Sequence, residues 1–137
     1  MFIFPRELYY PALSTIIAII VYSSQIFFVA AGRSKYGVAV PKTTGHNDDF
    51  DRVWRVHYNT LEQMPIFLPL MWIFALTVSS FYAFVFGILW SIGRIGYMFG
   101  YYKSTKTRSN PVAYLSSAAV IIFLIGSVWA VISGLIK

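Results

Sequence analysis

Arg52, Arg55, Asn59 and Glu62 recur at helical spacing and, at about 100° per residue, fall within an arc of about 80°. Arginine forks suit carboxylates, a glutamate suits an ammonium, and an asparagine amide both donates and accepts. The same segment runs without a break into residues 64–79, which are almost wholly apolar. Ionisable groups at or below a membrane surface are costly unless they are paired or serve a ligand, so the stripe reads as a polar site. His57 lies roughly 140° around the helix from Arg52 and off the stripe, as a contact to a neighbouring subunit or an ordinary interfacial residue.

A second set follows in residues 93–102. Arg94, Tyr97 and Tyr101 share a face at i, i+3 and i+7, and Gly96 and Gly100 form a small-xxx-small pair that lets another helix approach closely. Tyrosines at this place also suit an interfacial aromatic belt. Because the Arg52 stripe emerges at the same membrane end, the two sets read as walls of one pocket. Pro65 and Pro69 are expected to bend the helix just beyond Glu62.

The elements that carry these residues follow from composition. With 58% hydrophobic, 19% aromatic and only 12% charged residues, the chain is not an ordinary soluble domain, whose charged share is about 25%. It reads as an all-α integral membrane protein, a four-helix transmembrane bundle forming one domain over residues 1–137. The start lacks a basic n-region and a small-residue cleavage site, so its first apolar run reads as a retained span. Residues 8–31 supply the first helix and residues 109–136 the last, with Asn110 as cap and Pro111 as first helical residue.

The uncharged stretch 63–93 is too long for one ordinary span and too short for two spans of about 20 residues. It must therefore be a hairpin with polar ends. A turn at Ser79-Ser80 puts Glu62 and Arg94 roughly 25 Å and 21 Å from it, at similar depth, where they can form an ion pair. Arg33, Lys35, Lys42, Arg52 and Arg55 fall in or beside the first loop and Lys103, Lys106 and Arg108 in the third, against Arg6 and Lys137 on the other side. The positive-inside rule then places loops one and three in the cytoplasm and both termini opposite. The net charge of +6 is concentrated on that rim, where it also suits anionic membrane lipids.

No cysteine is present, which excludes a disulfide framework, a cysteine nucleophile and cysteine-ligated metals. His46 with Asn47, Asp48, Asp49 and Asp51 reads as a solvated acidic turn rather than a cation site, so no metal is expected. Phosphate-binding glycine loops and nucleic-acid modules are absent, and no nucleic-acid partner is expected.

The ordered set Arg52-x-x-Arg55-x-His57-x-Asn59-x-x-Glu62, Arg94-x-x-Tyr97-x-x-Gly100-Tyr101 and Arg108 before Pro111, with Pro41-x-Thr43-Thr44-Gly45, resembles the MAPEG family, the membrane-associated proteins of eicosanoid and glutathione metabolism. The resemblance implies a homotrimer that binds glutathione between subunits near the cytoplasmic face. By the same resemblance to the glutathione-conjugating branches, Arg33, Arg55, Asn59, Glu62, Tyr97 and Tyr101 hold the peptide and Arg108 activates its sulfur, with Arg52, His57, Gln63 and Arg94 in support. A thiol of pKa about 8.5 must become a thiolate to attack, and a shift of about two units needs roughly 2.7 kcal/mol, within reach of one partly desolvated guanidinium. Tyr97 or Tyr101 can add a hydrogen bond to the sulfur.

Two positions depart from the leukotriene C synthase branch: Gln63 replaces a glutathione-binding tyrosine, and Val120 replaces a tryptophan that caps the lipid tail. These favour a general detoxifying transferase of the microsomal glutathione transferase type, acting on hydrophobic electrophiles and with a peroxidase activity on lipid hydroperoxides. The alternatives are a non-catalytic, arachidonate-presenting binding protein and a glutathione-dependent isomerase of the prostaglandin E synthase type.

Overall fold

The computed structural model describes residues 5–136; Met1 to Phe4 and Lys137, including the outer charge expected at Lys137, lie outside the described residues. The described residues form four α-helices: α1 (Tyr9–Tyr36), α2 (Asp48–Thr77), α3 (Ser80–Lys103) and α4 (Tyr114–Leu135). Short 3-10 turns, Arg6–Leu8 and Lys106–Ser109, precede α1 and α4. All four helices are long and apolar enough to cross a membrane, as expected from composition. At about 1.5 Å per residue, α1 and α2 reach about 42 and 45 Å and so overshoot a hydrocarbon layer of about 30 Å. Their loop-side ends therefore stand in the headgroup region.

The helix ends follow local chemistry. Asn47 caps α2 by accepting from the Phe50 backbone N–H at 2.9 Å, and Asp48, Asp49 and Asp51 face the positive end of the helix dipole. At the hairpin, the Ser79 side chain accepts from Tyr82 N–H, so the turn falls where the serine pair placed it. The first helix runs five residues beyond the expected end at residue 31. Arg33 and Lys35 sit in its last turn, where cations suit the negative helix end, and Gly37 closes it at φ 67°. The last helix starts later than expected. Residues 111–113 form a turn and the regular helix begins at Tyr114, although Asn110 Oδ1 still accepts from Ala113 N–H at 2.9 Å.

Lipid tails are as apolar as leucine, so the bundle is held by close packing rather than by exclusion from water. Its centre is Phe67 stacked on Trp90, with ring centroids 4.0 Å apart and 5° between planes. Met71, Phe74, Ala83, Ala119 and Phe123 complete this core. Nearer the loops, Phe50, Val53, Val29 and Val38 form a second cluster. Large apolar side chains such as Ile20, Phe27, Leu76, Ile125 and Trp129 are exposed, as a lipid-facing surface requires. Pro65 and Pro69 lie within a continuous α2, both exposed.

Candidate functional site

The polar stripe of α2 meets the end of α3 but divides along its length. Arg52 pairs with Asp49 and reaches the Tyr102 carbonyl through Nε at 3.4 Å. Asn59 donates to the Tyr97 hydroxyl. Arg55 and Glu62 are exposed and have no ion-pair partner among the described residues. Two of the four side chains thus bind α2 to α3, and the other two stand free at the outer edge.

Glu62 and Arg94 do not pair. Arg94 is buried at 2% exposure and donates from Nε (3.2 Å) and Nη2 (2.6 Å) to Thr60 Oγ1, with its guanidinium carbon 4.4 Å from the Tyr97 ring centroid. Glu62 lies two residues beyond Thr60, about 200° around the helix, and therefore faces away. The Thr60 hydroxyl donates in turn to the Val56 carbonyl at 2.9 Å, so its single proton and both lone pairs are used. Thr60→Val leaves a buried guanidinium without this acceptor, and we expect a loss of roughly 2–4 kcal/mol of stability. Thermal unfolding in detergent measures it; Thr60→Ser, which keeps the hydroxyl, should remain close to the parent.

Tyr97 and Tyr101 stack with ring centroids 5.5 Å apart. They separate two polar clefts. One, of about 400 Å³, is lined by Thr44, Asp48, Asp51, Arg52, Arg55, Tyr101 and Thr105. The other, of about 130 Å³, is lined by Gln63, Arg94, Tyr97 and Arg108 with Ser109, Ala113, Tyr114, Ser116 and Ser117. Gln63 Oε1 is buried there without a hydrogen-bond partner, an acceptor free for a ligand or a water.

Arg108 itself is exposed, on the 3-10 turn after α3, with its guanidinium carbon 6.0 Å from the Tyr101 ring centroid. The glycine pair of α3 holds this turn in place. Thr107 Oγ1 donates to the Gly100 carbonyl at 2.6 Å, and Asn110 Nδ2 to the Gly96 carbonyl at 2.8 Å. A Cβ on Gly100 would stand 2.4 Å from the Thr107 carbonyl oxygen, too close for any side chain. The small-xxx-small pair therefore admits the chain leading into α4, and this close approach brings Arg108 back over the tyrosines.

Other expected residues are engaged elsewhere. Arg33 donates from Nη1 to the carbonyls of Lys42 (2.7 Å) and Val38 (3.3 Å), with its guanidinium carbon 5.2 Å from the Phe50 ring centroid. It closes the first loop and lines neither cleft. His57 stacks on Tyr22 of α1, centroids 5.1 Å apart, so it packs inside its own subunit. In the acidic turn, Asp51 accepts from the Gly45 N–H at 2.8 Å; no metal-binding group of side chains occurs among the described residues. Thr60, Ser116 and Ser117 escaped the sequence reading, since none carries a spacing signal of its own, and Asp48 and Asp51, read only as part of a solvated acidic turn, line the larger cleft.

The sequence pattern that defines the MAPEG family matches residues 11–129. The chain belongs to the MAPEG family. An uncharacterized protein of Synechocystis sp. is 42% identical over 126 residues, 92% of this MAPEG chain and 90% of that protein. Microsomal glutathione S-transferase 2 of Bos taurus is 28% identical over 73% of the chain and 68% of its own length. Leukotriene C4 synthase of the same species is 30% identical over 67% of the chain and 60% of its own. The family thus includes glutathione-using enzymes.

Proposed function

We propose that this MAPEG chain is a membrane-bound glutathione transferase, which joins the glutathione sulfur to hydrophobic electrophiles. The observation that carries the reading is the convergence of Arg94, Tyr97 and Arg108 on one cleft at the end of the bundle where Arg55 and Glu62 stand unpaired. Glutathione has two carboxylates, one ammonium and a thiol, and these groups match that set. Arg55 and Arg94 bind carboxylate, Glu62 binds the ammonium, and Asn59, held against Tyr97, completes the peptide contacts. Arg108 stabilises the thiolate, with Tyr97 or Tyr101 donating to the sulfur. The thiol proton leaves to solvent, the sulfur bonds to the electrophilic carbon, and the leaving group departs with its electron pair.

The active unit in this proposal is a homotrimer with glutathione between subunits and loops one and three in the cytoplasm. Free charges such as Arg55 and Glu62 near the end of a span are poorly suited to face lipid, and a neighbouring subunit shields them. Arg33 belongs to a neighbour's site only if that subunit approaches the closed first loop.

Purified protein with glutathione and chlorodinitrobenzene, then with a lipid hydroperoxide, tests the reading. Turnover of the aryl halide supports it; saturable glutathione binding without turnover on either substrate would favour the non-catalytic branch. Arg55→Ala and Glu62→Gln should each raise the glutathione concentration for half-saturation about tenfold, by the loss of one charged contact. Normal affinity in both variants would move the site elsewhere. Mass measurement in mild detergent should give three chains, and mixing Arg55→Ala with Arg108→Ala chains should restore partial activity if these residues meet across subunits.

A further inference from the structure

On another face of the same end, a groove of about 330 Å³ lies between the last turns of α1, Val53 of α2 and the last turns of α3. Its walls are Phe28, Phe99 and Tyr102, with Gly32 and Ala31 at the floor and Lys35 at the mouth. Phe99 is 63% and Phe28 43% exposed, so the groove opens outward. No acidic residue lines it, and the Lys35 ammonium lies 5.0 Å from the Tyr36 ring centroid, without an ion pair among the described residues. The Tyr102 hydroxyl, shielded against the same groove, also lacks a hydrogen-bond partner.

An apolar slot ending in an unpaired cation matches an amphiphile with an acyl chain and an anionic head. Depth agrees with charge. Since α1 overshoots the hydrocarbon by roughly 12 Å, Lys35 in its last turn stands at headgroup level while Phe28, seven residues earlier, lies about 10 Å deeper among acyl chains. We infer that this groove is a seat for one anionic phospholipid of the leaflet at the loop end, its phosphate on Lys35 and the first part of its chain between Phe28 and Phe99. The seat lies apart from the two polar clefts, and the inference does not depend on the proposed transferase reaction.

The test is native mass spectrometry of the full chain from detergent containing equal phosphatidylglycerol and phosphatidylcholine. The parent should retain phosphatidylglycerol in preference, and Lys35→Glu should reduce that retention by about fivefold or more, the value of one lysine at an anionic surface. Lys35→Arg should keep it. Ala31→Trp, which fills the exposed floor and leaves the charge, should also lose it, while Lys106→Glu on the third loop should not. Equal retention of the two lipids, or loss in Lys106→Glu as large as in Lys35→Glu, would reduce the effect to general surface charge and overturn the seat. A lower oligomer mass in Ala31→Trp with lipid retention unchanged would instead assign the groove to a second copy of the chain. Helix content by circular dichroism, unchanged in all variants, separates these results from misfolding.

Discussion

Arg108→Ala or Arg108→Leu is expected to slow conjugation about 25-fold at pH 7, the fall in thiolate fraction when a thiol pKa returns from about 6.5 to about 8.5. Glutathione affinity should change far less, because the proposed site assigns the peptide's carboxylates and ammonium to Arg55, Arg94 and Glu62 rather than to Arg108. Ultraviolet difference absorbance of the bound thiolate reads the same event directly. The arginine stands on an exposed 3-10 turn and packs only loosely over Tyr101, so its removal should leave the fold intact. The sign of the pH effect follows: if the lost charge acts on the thiolate, raising pH toward the free thiol's pKa of about 8.5 should recover rate in the variant more than in the parent. An unchanged thiolate signal and rate would remove Arg108 from the mechanism.

Gly93→Ala should damage the fold more than any exposed substitution. A Cβ there would sit 2.3 Å from the Ser116 backbone nitrogen and 2.9 Å from Ser116 Cβ. Ordinary contact begins at 3.4 Å, so α3 and α4 must separate against backbone rather than a yielding side chain. Overpacking of this kind costs about 1–3 kcal/mol where neighbours can adjust, and the upper end or beyond applies here. The separation also carries Ser116 and the chain before it away from Arg94, so activity should fall together with thermal stability. Gly134→Ala is the control, since a Cβ there would meet nothing within 4 Å and helix propensity alone favours alanine. Melting curves and gel filtration in detergent compare the two; equal stability would mean that the α3–α4 contact is looser than its geometry.

Depth along each helix was legible in the sequence, because rise per residue is constant and a hairpin turn sets the count for both its arms. The serine pair located that turn, and residues at similar distances from it do meet, offset by two or three positions, as Phe67 on Trp90 and Asn59 on Tyr97 demonstrate. The charge-poor spans, the shared end of the polar residues and the family itself could be read the same way. Direction around the axis was not. Arg94 and Glu62 share a depth, yet which face of α2 turns toward α3 depends on how the whole bundle packs, and that packing turned Thr60 inward and Glu62 outward. Arg33 shows the same limit: its charge and place at the end of α1 were evident, but its engagement by the Val38 and Lys42 carbonyls depends on the path of the first loop. Linear spacing specifies which residues reach the polar end of this membrane bundle, and tertiary packing decides which of them are used to hold it together and which remain free for a ligand.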